Sequence, residues 1–255
     1  MEQNLNFELL KKVKQKKELR GLADEVILES LKNYFKKNKI SKKLSEKDKK
    51  TITAEIRAEL RQYTGRFQNI SKAREELIEG REENILKTHA STKERIDFYP
   101  EIIKILDKLE AKSILDLGCG INPLAIAKRG IYYALDIKKD ELDLIKEFFA
   151  RRGIAGKTIL FDVRKIKEIE LPVVDVCLIF KVFDILEKRG HKLAEEIIEN
   201  IKCRYFLISF STKTLSGKPM NHPQRGWIER LLTRKGFKFK QIKFKNEIFY
   251  LAEKN

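Results

Sequence analysis

Proline is absent from the first ninety residues of this 255-residue chain, and glycine occurs there only at Gly21, Gly65 and Gly80. A stretch so short of helix breakers excludes a turn-rich β architecture. Cysteine is scarce too. Cys119, Cys177 and Cys203 show no C-x-x-C spacing, which argues against a zinc site or a disulfide framework and predicts reduced, small apolar fillers. The three histidines, His89, His191 and His222, form no cluster, so no metal centre and no His-based relay is expected. No apolar run approaches the ~20 residues of a membrane span. The opening Met1 to Asn6 lacks the basic start and apolar core of an export signal. These absences predict a soluble, cytoplasmic protein, free of metal and membrane. A monomer is a separate expectation that they do not supply.

Charge is abundant. Lys and Arg exceed Asp and Glu by 55 to 38, a net +17, and charged residues make up 36% of the chain against 42% hydrophobic. The excess is uneven: residues 1–90 carry +7, residues 91–200 are neutral, and residues 201–255 carry +10. Two basic ends around a neutral middle are the footprint of a polyanion binder. Simple surface solvation competes with that reading in the N-terminal third, where helices alternate acid and base. It competes less well in the tail, where Arg234, Lys235, Lys238, Lys240, Lys243 and Lys245 have few acids near them.

Apolar residues recur near a 3.6-residue period early in the chain, predicting helices over 7–19, 22–36, 46–62 and 71–86, with Ser45 and Asp48 capping the third. Ser91-x-x-Glu94 is a capping-box pattern, and Pro100 opens a helix to about Leu109. From there strands at 113–117, 131–136, 157–161, 173–180 and 204–210 alternate with helices at 122–129, 139–152, 189–201 and 223–235. Runs near 237–243 and 247–252 are too close for a crossover and must pair antiparallel through Lys245-Asn246. The expected fold is α/β: a mostly parallel, Rossmann-like sheet with an antiparallel C-terminal hairpin over residues 91–255, preceded by a helical, basic unit over 1–90.

The densest motif is Ser113-Ile-Leu-Asp-Leu-Gly-Cys-Gly-Ile-Asn-Pro-Leu-Ala125. An apolar strand ends at Asp116-Leu117, Gly118 and Gly120 turn the chain and admit a ligand to bare backbone, and Asn122-Pro123 caps and opens a helix. Asp136 ends the next strand, followed by Ile137, where an acid can hold ribose hydroxyls. The third glycine of a dinucleotide fingerprint is replaced by Pro123, so no pyrophosphate cradle is evident. Acid-x-Gly-x-Gly with an acidic second strand resembles the S-adenosylmethionine pocket of class I methyltransferases, and Asp116 suits a cationic cofactor. The alternative is a structural βα turn. Asp162, after the third strand, either accepts from the adenine amino group or is an exposed strand-end acid.

Lys181-Val-Phe-Asp184 follows the fourth strand, where amino-group methyltransferases carry Asn/Asp-Pro-Pro-aromatic. That motif is missing. Carbon-5 methylation needs a thiolate, and Cys177 lies mid-strand. A ring nitrogen or hydroxyl is therefore the expected acceptor.

Thr88-His-Ala-Ser-Thr-Lys-Glu-Arg-Ile96, the Asp116 to Ala125 motif, Phe180-Lys-Val-Phe-Asp-Ile-Leu-Glu187, Ser209 to Lys218, Trp227 and Asn246 to Lys254 together resemble one family. It is the aminoglycoside-resistance family of small-subunit (16S) ribosomal RNA methyltransferases, which modify a decoding-site guanine at N7. The likeness covers about residues 85–255. It implies that Arg95 binds the cofactor carboxylate, that Asp136 and Asp162 hold ribose and adenine, and that Lys181 and Glu187 act near the target. Lys213, Lys218 and Arg225 would meet the RNA. Simpler readings stand beside these: Arg95 paired with Glu94 or Asp97, Glu187 a surface acid, Trp227 either stacking a flipped base or filling core. One departure matters. Where the family has Gly-Met-Glu, then a Tyr and a Trp-Phe pair, this chain has Pro219-Met-Asn221, Gln224 and Trp227-Ile228.

Overall fold

The proline-free opening begins with three helices, α1 (Glu2–Lys14), α2 (Asp24–Asn38) and α3 (Glu46–Thr64). They belong to a computed structural model that describes residues 2–40, 44–64, 70–128, 130–187, 190–214, 217–220 and 223–254. Leu9, Val13, Ile27, Leu31, Ile56 and Leu60 are fully buried against one another, so each helix turns one apolar stripe inward. Ser45 and Asp48 cap α3 as expected: the Ser45 N–H donates to Asp48 Oδ2 at 2.9 Å and the Asp48 N–H to Ser45 Oγ at 3.2 Å. The helix predicted over 71–86 is instead two, α4 (Ile70–Ile78) and α5 (Glu82–Leu86), because Gly80 takes φ +70° and ends the first. These two leave the three-helix cluster. Ala73, Leu77, Ile85 and Leu86 pack beneath the sheet with Phe98, Ile102 and Phe148.

After α6 (Ala90–Arg95) and α7 (Tyr99–Lys108) come β1 (Ser113–Leu117), α8 (Pro123–Ile126), β2 (Ile131–Asp136), α9 (Lys139–Arg152) and β3 (Ala155–Leu160). The second half runs β4 (Val174–Phe180), α10 (Val182–Leu186), α11 (Lys192–Asn200), β5 (Cys203–Ser211), α12 (Gly226–Arg234), β6 (Phe237–Lys243) and β7 (Glu247–Lys254). Strand order is β3-β2-β1-β4-β5-β7-β6, parallel except for β7, which runs antiparallel to β5 and β6. The α/β sheet and its closing hairpin are thus as expected. The sheet buries both faces, which is why β4 reads as a near-continuous apolar run. The order reverses between β1 and β4, and a crevice opens at such a switch point beyond the carboxyl ends of the strands. Among the described residues no helix is long and apolar enough to cross a membrane. The three cysteines are free and buried.

Candidate cofactor site and its rim

At the switch point β1 ends in Asp116-Leu117 and the chain turns through Gly118 and Gly120, at φ +60° and +48°. A Cβ on Gly118 would meet Val182 Cγ2 at 2.9 Å, so bare backbone is required there. The Gly120 N–H donates to Asp136 Oδ2 at 2.9 Å and the Lys138 N–H to Asp136 Oδ1 at 3.0 Å, which fixes the carboxylate between two backbone donors. Asp116 is fully buried. Its Oδ2 accepts from the Tyr132 hydroxyl at 2.8 Å, while Oδ1 has no hydrogen-bond partner. Burial raises the Asp116 carboxyl to about 7, against the pull of the Tyr132 hydroxyl and the Arg95 charge. A buried acid with one unmet oxygen beside exposed glycine backbone is a receptor for a cationic or hydrogen-donating ligand. That geometry fits the polar end of S-adenosylmethionine.

Around this turn His89 is held neutral, its pKa lowered to about 4 by burial first and then by the charges of Lys138, Arg95 and Lys181. Lys138 pairs with Glu141 at 2.7 Å in a buried ion pair. Asp162 also lies at the rim, after β3: the Phe161 N–H donates to Asp136 O at 3.0 Å. Its carboxylate caps the following turn through the Arg164 N–H at 3.0 Å and binds the Arg164 guanidinium with both oxygens. Ile137 packs on the three-helix cluster.

Three local expectations are corrected. Asn122 does not cap α8 with its side chain; its Oδ1 accepts from Arg95 Nη1 at 3.0 Å and from the Tyr99 hydroxyl at 2.7 Å. Ser91 and Glu94 form no capping box, since α6 starts at Ala90 and Glu94 Oε2 pairs with Lys181 Nζ at 2.7 Å. Arg95 has a carboxylate partner, but neither Glu94 nor Asp97. Its Nε and Nη2 grip Glu247, the first residue of β7, at 3.0 and 2.8 Å, both side chains at most 1% exposed. Ser209 also donates to Glu247, and Lys181 Nζ stands 3.4 Å from it. Glu247 had no role in the sequence reading. The available signal was a lone acid leading the apolar run Ile248 to Ala252.

Beyond β4 and β5 lies the second half of the rim. Lys181 adopts φ +59°, its N–H donating to Ser209 O at 3.0 Å. Glu187 is not a free surface acid: it is nearly buried and its Oε1 accepts from the Ala194 N–H, capping α11. Arg225 is held by Asp184 at 3.1 Å and by the Ser211 carbonyl at 3.2 Å, with its guanidinium over Phe210. Trp227 is spent on packing. His191 stacks on it at 4.0 Å and 3°, and Phe183 and Phe210 meet it edge-on. Lys213 bridges to Pro219, and Lys218 is exposed. Asn221 and His222 lie outside the described residues. A cleft of about 620 Å³ is lined by Thr212, Pro223, Gln224, Glu229, Lys243 and Phe244.

A family model described as ribosomal RNA methyltransferase (FmrO) matches residues 41–251. A 16S rRNA (guanine(1405)-N(7))-methyltransferase of Micromonospora rosea is 26% identical over 209 residues, 75% of this chain and 74% of that protein. A protein of the same name from Serratia marcescens is 29% identical over 194 residues, 74% and 76% of the two chains. The crystal structure of the 16S rRNA methyltransferase RmtF in complex with S-adenosyl-L-homocysteine superposes with a TM-score of 0.81 at 23% identity, covering 98% of each chain. That likeness is one of fold.

Proposed function

Because this chain belongs to the FmrO family of ribosomal RNA methyltransferases, we propose that it transfers the methyl group of S-adenosylmethionine to a guanine N7 of 16S ribosomal RNA. The observation that carries the reading is the buried Asp116 with its unmet Oδ1 beside the bare Gly118–Gly120 turn. Asp116, Gly118 and Gly120 would receive the charged end of the cofactor, and Asp136 and Asp162 the nucleoside end. When bound, the cofactor supplies an electrophilic methyl on a sulfonium. Guanine N7 offers a lone pair and no proton to remove, so the protein's task is alignment. Orientation of that kind supplies roughly 7–11 kcal/mol of a barrier. Neither a general base nor a metal-bound water is required, and no metal is part of the proposal. The buried thiols, raised by burial, are unfit as nucleophiles.

Cofactor chemistry would fall to residues 91–255 and RNA grip to the basic helical residues 1–90, with the protein acting as a cytoplasmic monomer. Lys213 and Lys218 would contact the RNA. Arg225 and Glu187 would shape the rim from their pairs with Asp184 and the α11 N-terminus, and Lys181 would stand nearest the target, steadied by Glu94 and Glu247. Purified protein with labelled cofactor is expected to label 30S particles, and reductive strand cleavage at N7-methylguanine followed by primer extension locates the base. Unlabelled 30S particles would overturn the reading. The second reading, a different nucleotide of ribosomal or transfer RNA, is favoured by two observations. Gln224 lines the cleft where the family pattern differs, and Trp227 is covered by His191.

A further inference from the structure

Two connections bound the nucleoside half of the proposed cofactor site, residues 136–140 from the end of β2 into α9 and residues 161–165 after β3. Both are tied to the N-terminal helices. The Ala23 N–H donates to Ile137 O at 2.9 Å and the Lys139 N–H to Gly21 O at 2.8 Å, making Leu22 and Lys138 an isolated antiparallel bridge. Lys138 is the residue whose own N–H holds Asp136 Oδ1. The bridged peptide therefore orients the acid. The approach at this point is close: a Cβ on Gly21 would lie 1.9–2.1 Å from the Asp140 carboxylate, whose Oδ1 in turn accepts the Glu141 N–H at 2.9 Å. At the second connection Arg164, whose guanidinium donates to both oxygens of Asp162, lies 4.7 Å over the Tyr63 ring of α3, and Lys165 Nζ reaches Glu29 of α2 at 3.2 Å.

We infer that the N-terminal helical unit is a positioning part of the cofactor site, holding Asp136 and Asp162 in place through these two connections. The inference rests on the cofactor reading above and goes beyond it. A unit that both grips RNA and sets these acids couples the two ligands, and the coupling is reciprocal: RNA that shifts the helices changes cofactor affinity by the factor the cofactor changes RNA affinity.

The test uses the full chain, titrated calorimetrically with S-adenosylhomocysteine well below its melting temperature. Gly21→Val wedges the first contact, and the double change Glu29→Ala with Tyr63→Ala removes the second. If either lowers the fraction of molecules with both acids in place to about one in ten, affinity falls about tenfold. The ligand-free variants are also expected to exchange their amide protons faster at 137–141 or at 161–165. Wild-type affinity in both variants, with exchange accelerated, overturns the inference while leaving the enzyme reading intact. Wild-type protein that binds no S-adenosylhomocysteine overturns both. Should Gly21→Val fail to fold, the Glu29→Ala, Tyr63→Ala protein decides alone, since both side chains are only half-buried.

Discussion

Replacing Asp116 by Asn separates stability from the proposed function, because the carboxylate burdens the ligand-free fold while its proposed role is to anchor the cofactor. Burial moves this acid from an ordinary 3.8 to about 7. At 1.36 kcal/mol per pH unit, carrying its charge at alkaline pH costs at most about 4 kcal/mol. The sign follows from proton counting: between about 4 and 7 the folded protein keeps a proton that the unfolded chain has released, so this group's contribution to stability falls as pH rises through that window. Asn carries no charge. It does place an amide N–H₂ where Oδ1 finds no partner, which costs about 1–3 kcal/mol. The net expectation is a ligand-free variant more stable by about 1–3 kcal/mol at pH near 8.5, a rise of roughly 2–10 °C in Tm. Near pH 4 the gain vanishes and the unmet amide leaves the variant weaker. Thermal melts of both proteins from about pH 4 to 8.5 measure the difference curve, and titration with S-adenosylhomocysteine is expected to show affinity at least about tenfold lower. Parallel pH dependences, or a variant that melts lower at pH 8.5 and binds normally, would refute the reasoning.

Tyr132→Phe removes the hydroxyl that pulls the Asp116 pKa down, so cofactor binding, which in the proposed site uses the carboxylate, is expected to fade at a higher pH than in the wild type as pH falls, as calorimetry across pH will show. Gly120→Ala places a Cβ no nearer than 3.9 Å to any neighbour but in a left-handed conformation; the fold should survive a cost of about 1–2 kcal/mol while cofactor affinity drops. Trp227→Ala empties a position packed by His191, Phe183 and Phe210 and is expected to cost about 3–5 kcal/mol in a denaturant melt, whereas His191→Ala bares the indole and leaves binding to 30S particles undiminished if a base can stack there. Cys119, Cys177 and Cys203 should ignore an aromatic disulfide reagent until the protein unfolds, because burial raises all three thiols, Cys203 to about 12.

What local chemistry dictates was readable in advance. An apolar strand, two glycines that must take positive φ and an acid closing the next strand need only neighbours in sequence, and β1, the turn and Asp136 stand as the residues require. The 3.6-residue period likewise found the buried stripes of α1 to α3. What failed was partner choice across the fold. Arg95 has acids one and two residues away, but its partner is 152 residues distant. Asn122 sits where a cap belongs, yet a buried guanidinium and a tyrosine hydroxyl outbid the helix for its oxygen. Glu187 looks like a surface acid until α11 folds back and presents the Ala194 amide. Competition among polar groups in a dry interior is settled by topology, and a linear pattern does not record it.

The Arg95–Glu247 pair has a consequence for biosynthesis. The buried Arg95 guanidinium remains unneutralised until translation has passed residue 247 and β7 has slotted between β5 and β6. Before that moment an isolated buried cation disfavours closure by about 3–5 kcal/mol. A nascent chain is thereby kept from assembling a finished pocket until its last strand has been made and paired.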